Sequence, residues 1–360
     1  MAKGQKVFVG ISGGVDSAVS AALLQQQGYD VIGVFIKIVV DGYPCTAGVD
    51  RIDAMRVAAH LQIPFREIDL SKQYQDEVFR VSIAEFKEGK TPNPDVLCNR
   101  EIKFGLFYDY AMQNGADFVA TGHYAQIQDG RLYAGADKEK DQSYFLALVP
   151  RAVLQKTLFP IGHLQKSEVR KLAAKFGLPN AARKDSQGLC FLGPISIADM
   201  LQHELGPVVG NVLDQSGGIV GTHHGAALYT LGQRHGFEVA HSTPLFVIAK
   251  DIAKNTITVS PDKTPGKGET TLQLRNTNWL GAPDGAYMAR YRYRQNLIPA
   301  RKSGDTITLS QPQYAPEGQL LALYDGDPRY AEGSGEARRC VGGGIISAAW
   351  LSSSPKQTAK

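Results

Sequence analysis

A short apolar run followed at once by a loop rich in glycine and serine is the feature that most restricts the fold of this chain. Residues 6–9 read KVFV and residues 10–17 read GISGGVDS. The apolar run is typical of a buried strand, and residues 18–27 are predicted to form a helix that Gly28 ends. Backbone N–H groups converge at the start of such a helix, where the helix dipole favours an anion. The loop is therefore predicted to bind phosphate.

Strand and helix patterns alternate through the first half of the chain. Further helices are predicted over residues 51–61, 71–87 and 100–114, with the loop EGKTPNPDVLCN before the last of them. Further strands are predicted at VIGVFIKIVV, FREIDL and DFVATG. Alternation of this kind predicts an α/β fold with a parallel sheet covered on both faces and ligands at the carboxyl ends of the strands.

The second half of the chain has a different pattern. Helices are predicted after Gln142, glycine-rich short strands after about Gly206, and alternating segments such as DTITLS and QLLALYDG after about Thr270. Short strands separated by turns predict a small antiparallel barrel. A chain of 360 residues is long for one core. We therefore predict a catalytic domain over 1–195, a small central α+β domain over 196–270 and a C-terminal β-barrel over 271–360.

Composition excludes several classes of protein. The formal net charge of +4 is too small to indicate a nucleic-acid binder by itself. No segment approaches the roughly 20 apolar residues that span a bilayer, and the strand predicted at residue 6 leaves no room for a signal peptide, so a cytoplasmic protein without a membrane partner is expected. The four cysteines form no CxxC pair, which argues against a zinc ribbon or a disulfide framework; they are Cys45, Cys98, Cys190 and Cys340.

The phosphate loop lacks the lysine of a nucleotide-triphosphatase loop, which argues against the usual γ-phosphate site. Gly13 and Gly14 permit a close approach of the backbone, while Ser12 and Ser17 supply hydroxyl groups. The carboxylate of Asp16 suits Mg²⁺ beside the phosphates. The loop resembles the signature of the ATP pyrophosphatase (PP-loop) family. That resemblance implies an ATP that is cleaved between its α- and β-phosphates to adenylate an oxygen atom of a substrate.

Two cysteines have surroundings that indicate reactivity. Cys98 lies in TPNPDVLCNREIKFG, near an expected helix N-terminus and close to Arg100 and Lys103, and both effects lower the pKa of a thiol. Asp95 is a candidate acid or base at the same place, and Cys190 lies in the polar segment ARKDSQGLCF. For each cysteine alone, a reduced, buried thiol is the alternative. Together with an adenylating loop, the two fit the exchange of a carbonyl oxygen for sulfur through a persulfide that the second thiol resolves.

Motifs along the whole chain resemble those of the tRNA 2-thiouridylase family. They occur in the family's order, as SGGVDS, TPNPDVLCNREIKFG, ATGHYA, KDQSYFL, KDSQGLCFLG, LGQRHG, RYRQ and CVGGGII. The resemblance implies an N-terminal domain of the adenine nucleotide alpha-hydrolase type that uses ATP and Mg²⁺. It implies adenylation of the C2 oxygen of the wobble uridine in tRNA, then sulfur transfer to give 2-thiouridine, with release of AMP and pyrophosphate. A protein that donates the sulfur is implied as a partner.

The resemblance also implies roles for individual residues. Cys190 would carry the persulfide, Cys98 would form a disulfide with it, and Asp95 would be the acid or base. The residues implied to surround ATP are Gly10, Ile11, Ser12, Gly13, Gly14, Val15, Asp16, Ser17, Ile36 and Gly122. The residues implied to contact tRNA are Asn93, Pro94, Asp95, His123, Lys140, Asp141, Gln142, Arg292, Tyr293 and Gln319.

The segment YMARYRYRQ supports the tRNA contacts independently. It alternates arginine with tyrosine along a predicted strand, which would place like residues on one face to contact phosphates and bases. A solvated face of the barrel is the alternative interpretation.

Two alternative functions stay open, and nothing in the sequence demands more than a monomer. One is another PP-loop adenylating enzyme, although amidation requires a source of ammonia and iron–sulfur-dependent thiolation requires closely spaced cysteines. The other is a tRNA-binding paralogue that has lost turnover. Its one support is the divergent loop 38–50, where Ile38 and Val39 occupy the positions of the Asn-Trp pair usual in the family.

Overall fold

The structure is a computed structural model, which describes residues 4–44, 46–185, 188–191, 193, 195–240, 243–264, 266, 268–326 and 338–352. Cys45 of the divergent loop lies outside these ranges. The chain forms two compact units. The first comprises Met1–Phe79, Pro94–Ile195 and Asp327–Gly342, and the second comprises Arg80–Asn93, Ser196–Gly326 and Gly343–Lys360.

A parallel sheet forms the core of the first unit, as predicted, and it has five strands. Along the chain its strands are β1 (Lys6–Gly10), β2 (Asp30–Lys37), β3 (Phe65–Asp69), β4 (Phe118–Ala120) and β7 (Thr157–Leu158), and a separate hairpin contains β5 (Ala125–Gln128) and β6 (Arg131–Ala134). The spatial order is β3-β2-β1-β4-β7, and every neighbouring pair is parallel. The central strand β1 is fully buried at Val7, Phe8 and Val9, because the sheet is covered on both faces.

Most predicted helices are present. The α-helices are α1 (Val15–Gln26), α2 (Ala47–Leu61), α3 (Ser71–Tyr74), α4 (Arg80–Lys87), α5 (Pro94–Leu97), α6 (Phe107–Gln113), α7 (Arg151–Leu154), α8 (Lys166–Lys175) and α9 (Ile197–Leu205). The segments Gln75–Phe79 and Cys98–Leu106 are π-helical, and Ser143–Leu146 and Ala226–Leu228 are 3₁₀-helical.

The loop predicted over residues 88–99 is wrong at its second half, because the helix already begins at Pro94. Proline is tolerated in the first turn of a helix, where its missing N–H would have no intrahelical acceptor. Cys98 therefore lies one turn inside the helical segment and no longer at its N-terminus.

Among the glycines of the first unit that the structure describes, Gly162 is the one where a side chain would meet the backbone most severely. A Cβ atom there would lie 1.7 Å from the carbonyl oxygen of Ala125. We expect Gly162→Ala to lower the free energy of unfolding by about 3 kcal/mol, because overpacking against backbone cannot be relieved by a rotamer change. Urea unfolding measures this. Gly48→Ala in α2 is the matched control, because a Cβ atom there would meet nothing within 4 Å; equal stability of the two variants would contradict the expected clash.

The second unit contains a mixed five-stranded sheet. Its strands are β8 (Gly210–Leu213), β9 (Ile219–His223), β10 (Phe237–Val239), β11 (Phe246–Asp251) and β12 (Thr256–Ser260), in the spatial order β10-β9-β8-β12-β11. Strands β8 and β12 pair in parallel, and the other neighbours are antiparallel. Val212, Val247 and Ile257 are fully buried and form the centre of its core.

The predicted C-terminal barrel is closed and six-stranded, and it lies in the same unit except for residues 340–342 of its last strand. Its strands are β13 (Glu269–Trp279), β14 (Gly285–Arg290), β15 (Ile298–Ser303), β16 (Thr306–Leu309), β17 (Leu320–Asp325) and β18 (Cys340–Ser352). They close in the order β13-β16-β15-β14-β17-β18.

The strand predicted through YMARYRYRQ is wrong beyond Arg290, where β14 ends. Arg294 has a φ of 60°, which no regular strand accommodates. Arg290 is 8% exposed, and its guanidinium stacks on the ring of Tyr324 at 4.6 Å and donates to the hydroxyl group of that tyrosine. The alternation of arginine and tyrosine therefore forms no single strand face. No helix in the described ranges is long and apolar enough to cross a bilayer.

Candidate active site

The loop between β1 and α1 is held closely by its neighbours. Gly13 has a φ of 76°, and a Cβ atom there would lie 2.6 Å from the carbonyl oxygen of Asp50, so that only glycine fits. The N–H of Ser12 donates to Ser17 Oγ at 3.2 Å, and that hydroxyl group donates to the Gly14 carbonyl at 3.1 Å. The first N–H groups of α1 have no intrahelical acceptors. This arrangement is suited to bind an anion at the helix N-terminus.

The carboxyl ends of neighbouring strands bring other predicted ATP residues to the same edge of the sheet. Gly122 follows β4, and a Cβ atom there would lie 2.7 Å from the backbone nitrogen of Ser17. Gly10 ends β1, and Ile36 is buried near the end of β2. The close approach at Gly122 means that a larger residue would push on the phosphate loop.

A lysine that the sequence analysis did not single out lies at this loop. Lys166, the first residue of α8, places its Nζ 2.7 and 2.9 Å from the two carboxylate oxygens of Asp16. The hydroxyl group of Tyr124 donates to the same carboxylate at 2.9 Å. Lys166 is 150 residues from Asp16 in sequence. The tertiary structure thus brings a lysine to a loop that has none of its own. The local sequence could not have indicated this lysine.

The carboxylate of Asp185 joins this cluster to the segment that leads to Cys190. It accepts hydrogen bonds from Lys140 at 2.9 Å and Arg170 at 2.5 Å, and it lies 2.9 Å from Lys166 Nζ. Burial alone would raise the pKa of Asp185, but the hydrogen bonds from Lys166 and Lys140 outweigh it and hold this pKa well below its usual range. Asp185 therefore stays charged and fixes three cations near the loop.

Two further side chains fasten the same segment directly to the phosphate loop. Asn180 Nδ2 donates to the Gly13 carbonyl at 2.8 Å, and Arg183 Nη1 contacts that carbonyl at 3.3 Å. Arg183 also forms ion pairs with Asp50 and with Asp53 of α2. The phosphate loop and the segment before Cys190 are consequently parts of one connected polar network.

Cys98 and Cys190 meet in the first unit although they are 92 residues apart in sequence. Their sulfur atoms are 3.4 Å apart, with the Cys98 thiol as donor. Asp95 Oδ1 accepts from the backbone N–H of Cys190 at 3.2 Å, and the Tyr74 hydroxyl group donates to the Cys190 carbonyl at 2.9 Å. A disulfide requires about 2.05 Å between the sulfur atoms. A small approach of the two thiols would therefore be enough to join them.

The two thiols are electrostatically unequal. Burial raises the pKa of Cys98 well above its usual value, so the prediction of a lowered pKa at Cys98 is wrong. The hydrogen bond from Cys98 and the positive charge of Lys103 instead lower the pKa of Cys190, although burial opposes them. Of the two thiols, Cys190 is therefore the more acidic. Burial also raises the pKa of Asp95, which suits an acid or base.

The residues predicted to contact tRNA are divided between the two units. The first unit holds Pro94, Asp95, His123, Lys140, Asp141 and Gln142, and the second holds Asn93, Arg292, Tyr293 and Gln319. His123 is 7% exposed between the rings of Phe104 and Phe159, and burial lowers its pKa well below the usual value, so this imidazole is neutral. Asp141 is also buried and accepts backbone N–H groups of its own loop. Contact of either residue with tRNA stays a prediction.

In the second unit, Arg292 donates to the carbonyl of Leu231 at 2.5 Å, and the Arg294 guanidinium lies 5.3 Å from the centroid of the Tyr293 ring. Asn93 and Gln319 line a common pocket of about 280 Å³. The structure brings these last two residues together, and their contact with tRNA stays a prediction.

Asp16 offers a single carboxylate where Mg²⁺ is predicted. In the part of the chain that the structure describes, no three His, Cys, Asp or Glu side chains cluster to hold a metal ion. Mg²⁺ beside a nucleotide is usually held by one or two carboxylates together with phosphates and water. The single carboxylate of Asp16 therefore fits a metal ion that is bound together with a nucleotide.

A parallel α/β sheet with a phosphate loop after its first strand, and a thiol pair in the same unit, define a nucleotide-binding protein of the HUP class. The family described as "tRNA methyl transferase HUP domain" matches residues 5–194, and "tRNA methyl transferase PRC-barrel domain" matches residues 198–261. Relatives named tRNA-specific 2-thiouridylase MnmA occur in Shouchella clausii, 43% identical over 95% of this chain and 96% of the relative, and in Verminephrobacter eiseniae, 41% identical over 95% and 98%. The chain belongs to this MnmA family.

Two solved structures are weakly similar to the chain. A 4-thiouridine synthetase in complex with RNA and ATP is 17% identical with a TM-score of 0.35, covering 54% of this chain and 47% of that one. The NMN synthetase of Francisella tularensis is 18% identical with a TM-score of 0.31, covering 52% and 67%.

Proposed function

We propose that this chain is a tRNA-uridine 2-sulfurtransferase, which uses ATP to adenylate the C2 oxygen of the wobble uridine and then replaces that oxygen with sulfur. The single observation that carries the proposal is the Cys98–Cys190 pair, 3.4 Å apart, in the same unit as the phosphate loop. The names of the relatives support tRNA as the substrate. The family description mentions methyl transfer, but such a reaction would leave both the paired thiols and the adenylating loop without a role.

The first unit would bind ATP through the N–H groups at the start of α1. Lys166 would offset the phosphate charge, and Asp16 would help to hold Mg²⁺. When bound, Mg²⁺ would neutralise charge on the pyrophosphate that leaves. Attack of the uridine C2 oxygen on the α-phosphate would give the adenylated base.

Sulfur would reach the base through two successive persulfide and disulfide exchanges. The Cys190 thiolate attacks the outer sulfur of a persulfide on a donor protein, and the donor leaves as a thiolate. The Cys190 persulfide then attacks C2 of the adenylated base, and AMP leaves. Cys98 gives up its proton and attacks Cys190 Sγ, which forms the Cys98–Cys190 disulfide and leaves the sulfur on C2. A thiol reductant restores the pair. Asp95, whose pKa burial raises, would accept or return the proton.

We further propose three domains, over 1–195, 196–270 and 271–360, a persulfide-bearing donor protein as partner, a monomer in solution and a cytoplasmic location. The family matches at residues 5–194 and 198–261 support the first two of these domains.

The test is incubation of the purified full chain with unmodified tRNA, ATP, Mg²⁺ and a persulfidated cysteine desulfurase. Mass spectrometry of the tRNA nucleosides is expected to find 2-thiouridine, in amounts equal to the AMP released. Omission of ATP is the control. AMP release without 2-thiouridine would favour another adenylating reaction, and binding of tRNA without AMP release would favour a paralogue that has lost turnover.

A further inference from the structure

The side chain of Lys103 reaches the cysteine pair because of the local helix geometry. In an α-helix, residues five apart lie about 140° apart around the axis, so Cys98 and Lys103 would point in different directions. The segment Cys98–Leu106 is π-helical, and the N–H of Phe107 bonds to the Ile102 carbonyl, five residues earlier. In a π-helix, whose turn is wider, residues five apart are offset by only about 50° around the axis. The wider turn therefore places Lys103 on the same face as Cys98.

Lys103 is a positive charge beside the cysteine pair. Its Nζ lies 5.8 Å from the centroid of the ring of Phe191, the residue after Cys190, and its charge lowers the pKa of Cys190. Among the residues that the structure describes, Lys103 forms no salt bridge with a carboxylate. The other titratable groups that face the pair are Asp95 and Tyr74. The positive charge of Lys103 acts on both thiols.

We propose that Lys103 is a positioning residue that holds the Cys190 sulfur as an anion, and that the π-helical turn is what places it there. This inference rests on the proposed function, because the step that Lys103 assists belongs to that function. That step is the attack of the Cys190 thiolate on the outer sulfur of the donor persulfide, in which a new S–S bond forms and the donor thiolate leaves. A thiolate is the nucleophile, so a neighbouring cation raises the reactive fraction at neutral pH.

The surroundings agree with this role. A buried anion without a cation or hydrogen-bond donor is strongly disfavoured. Cys190 has both, since the Cys98 thiol donates to its sulfur and Lys103 supplies the positive charge. Burial by itself would lower the pKa of Lys103, but its electrostatic interactions with the cysteine pair and Asp95 outweigh burial and raise that pKa, so the ammonium group stays charged throughout the neutral range.

The test is the rate at which iodoacetamide alkylates Cys190 between pH 5 and about 9.5, read from the Cys190 peptide by mass spectrometry on the reduced, full-length protein without tRNA. Lys103→Met is expected to raise the apparent pKa by at least about one unit, which slows alkylation at pH 7 about tenfold. Lys103→Arg should retain most of the wild-type rate, because the charge remains. Arg100→Met is the matched control on the same helical segment, since the Arg100 guanidinium pairs with Glu101, 2.5 Å away, and should leave the profile unchanged.

Three results would overturn the inference. They are an unchanged profile in Lys103→Met, an equal shift in Arg100→Met, and a wild-type apparent pKa at or above the ordinary thiol value of about 8.5. The measurement of the wild-type pKa needs no variant, so it tests the inference even if Lys103→Met fails to fold. Because the assay contains no tRNA, a shifted profile without 2-thiouridine formation would refute the proposed function and leave the role of Lys103 standing. Formation of 2-thiouridine with an unshifted profile would do the reverse.

Discussion

Cys190→Ser is expected to abolish 2-thiouridine formation completely while tRNA binding and ATP-dependent AMP formation persist. Serine has nearly the same shape, but it cannot carry a persulfide. Adenylation needs only the phosphate loop and its cations, which lie elsewhere in the first unit. Nucleoside mass spectrometry, a filter-binding assay with tRNA and AMP release measure the three properties separately.

Cys98→Ser should also yield no free 2-thiouridine, but for a different reason. Cys190 can still accept sulfur and attack the adenylated base, and no thiol then breaks the bond between Cys190 and the transferred sulfur. We expect a protein–tRNA adduct on a non-reducing gel, which dithiothreitol releases as 2-thiouridine. Cys340→Ser is the matched control, because Cys340 is a buried free thiol that has no part in the proposed sulfur transfer. A normal rate of thiolation by either active-site variant would refute the two-cysteine mechanism.

Asp16→Ala is expected to remove ATP-dependent adenylation, with at least a hundredfold fall, on the order of that seen when a preorganised charge-stabilising group is lost. The substitution removes the proposed Mg²⁺ ligand and releases Lys166 and Tyr124 from the carboxylate that holds them. Pyrophosphate release in the presence of tRNA is the measurement.

Asp30→Ala is the matched control for this prediction, because Asp30 is exposed at the start of β2 in the same unit. Thermal unfolding of both variants separates a local effect from a loss of fold. Unchanged pyrophosphate release by Asp16→Ala would show that the carboxylate has no part in adenylation.

Local sequence was sufficient for the parallel sheet and for the position of the phosphate loop. An apolar run followed by SGGVDS can satisfy its backbone groups in few other ways, so β1, the loop and α1 follow from residues that are neighbours in the chain. The barrel was predictable for the same reason, since alternation and turns are local patterns. Two boundaries were predicted wrongly. The helix before Cys98 begins already at Pro94, and the strand through YMAR ends at Arg290.

By itself, the sequence determined which chemistry is possible: an adenylating loop, two thiols with polar neighbours and the motifs of a thiolating family. Only the tertiary structure decided how these groups act on one another. Lys166 comes to the loop from α8, and a π-helical turn places Lys103 on the same face as Cys98. Cys98 is the less acidic of the two thiols and donates a hydrogen bond to Cys190. The physical reason is that charge interactions depend on distance and burial, which are set by packing between segments that are far apart in the chain.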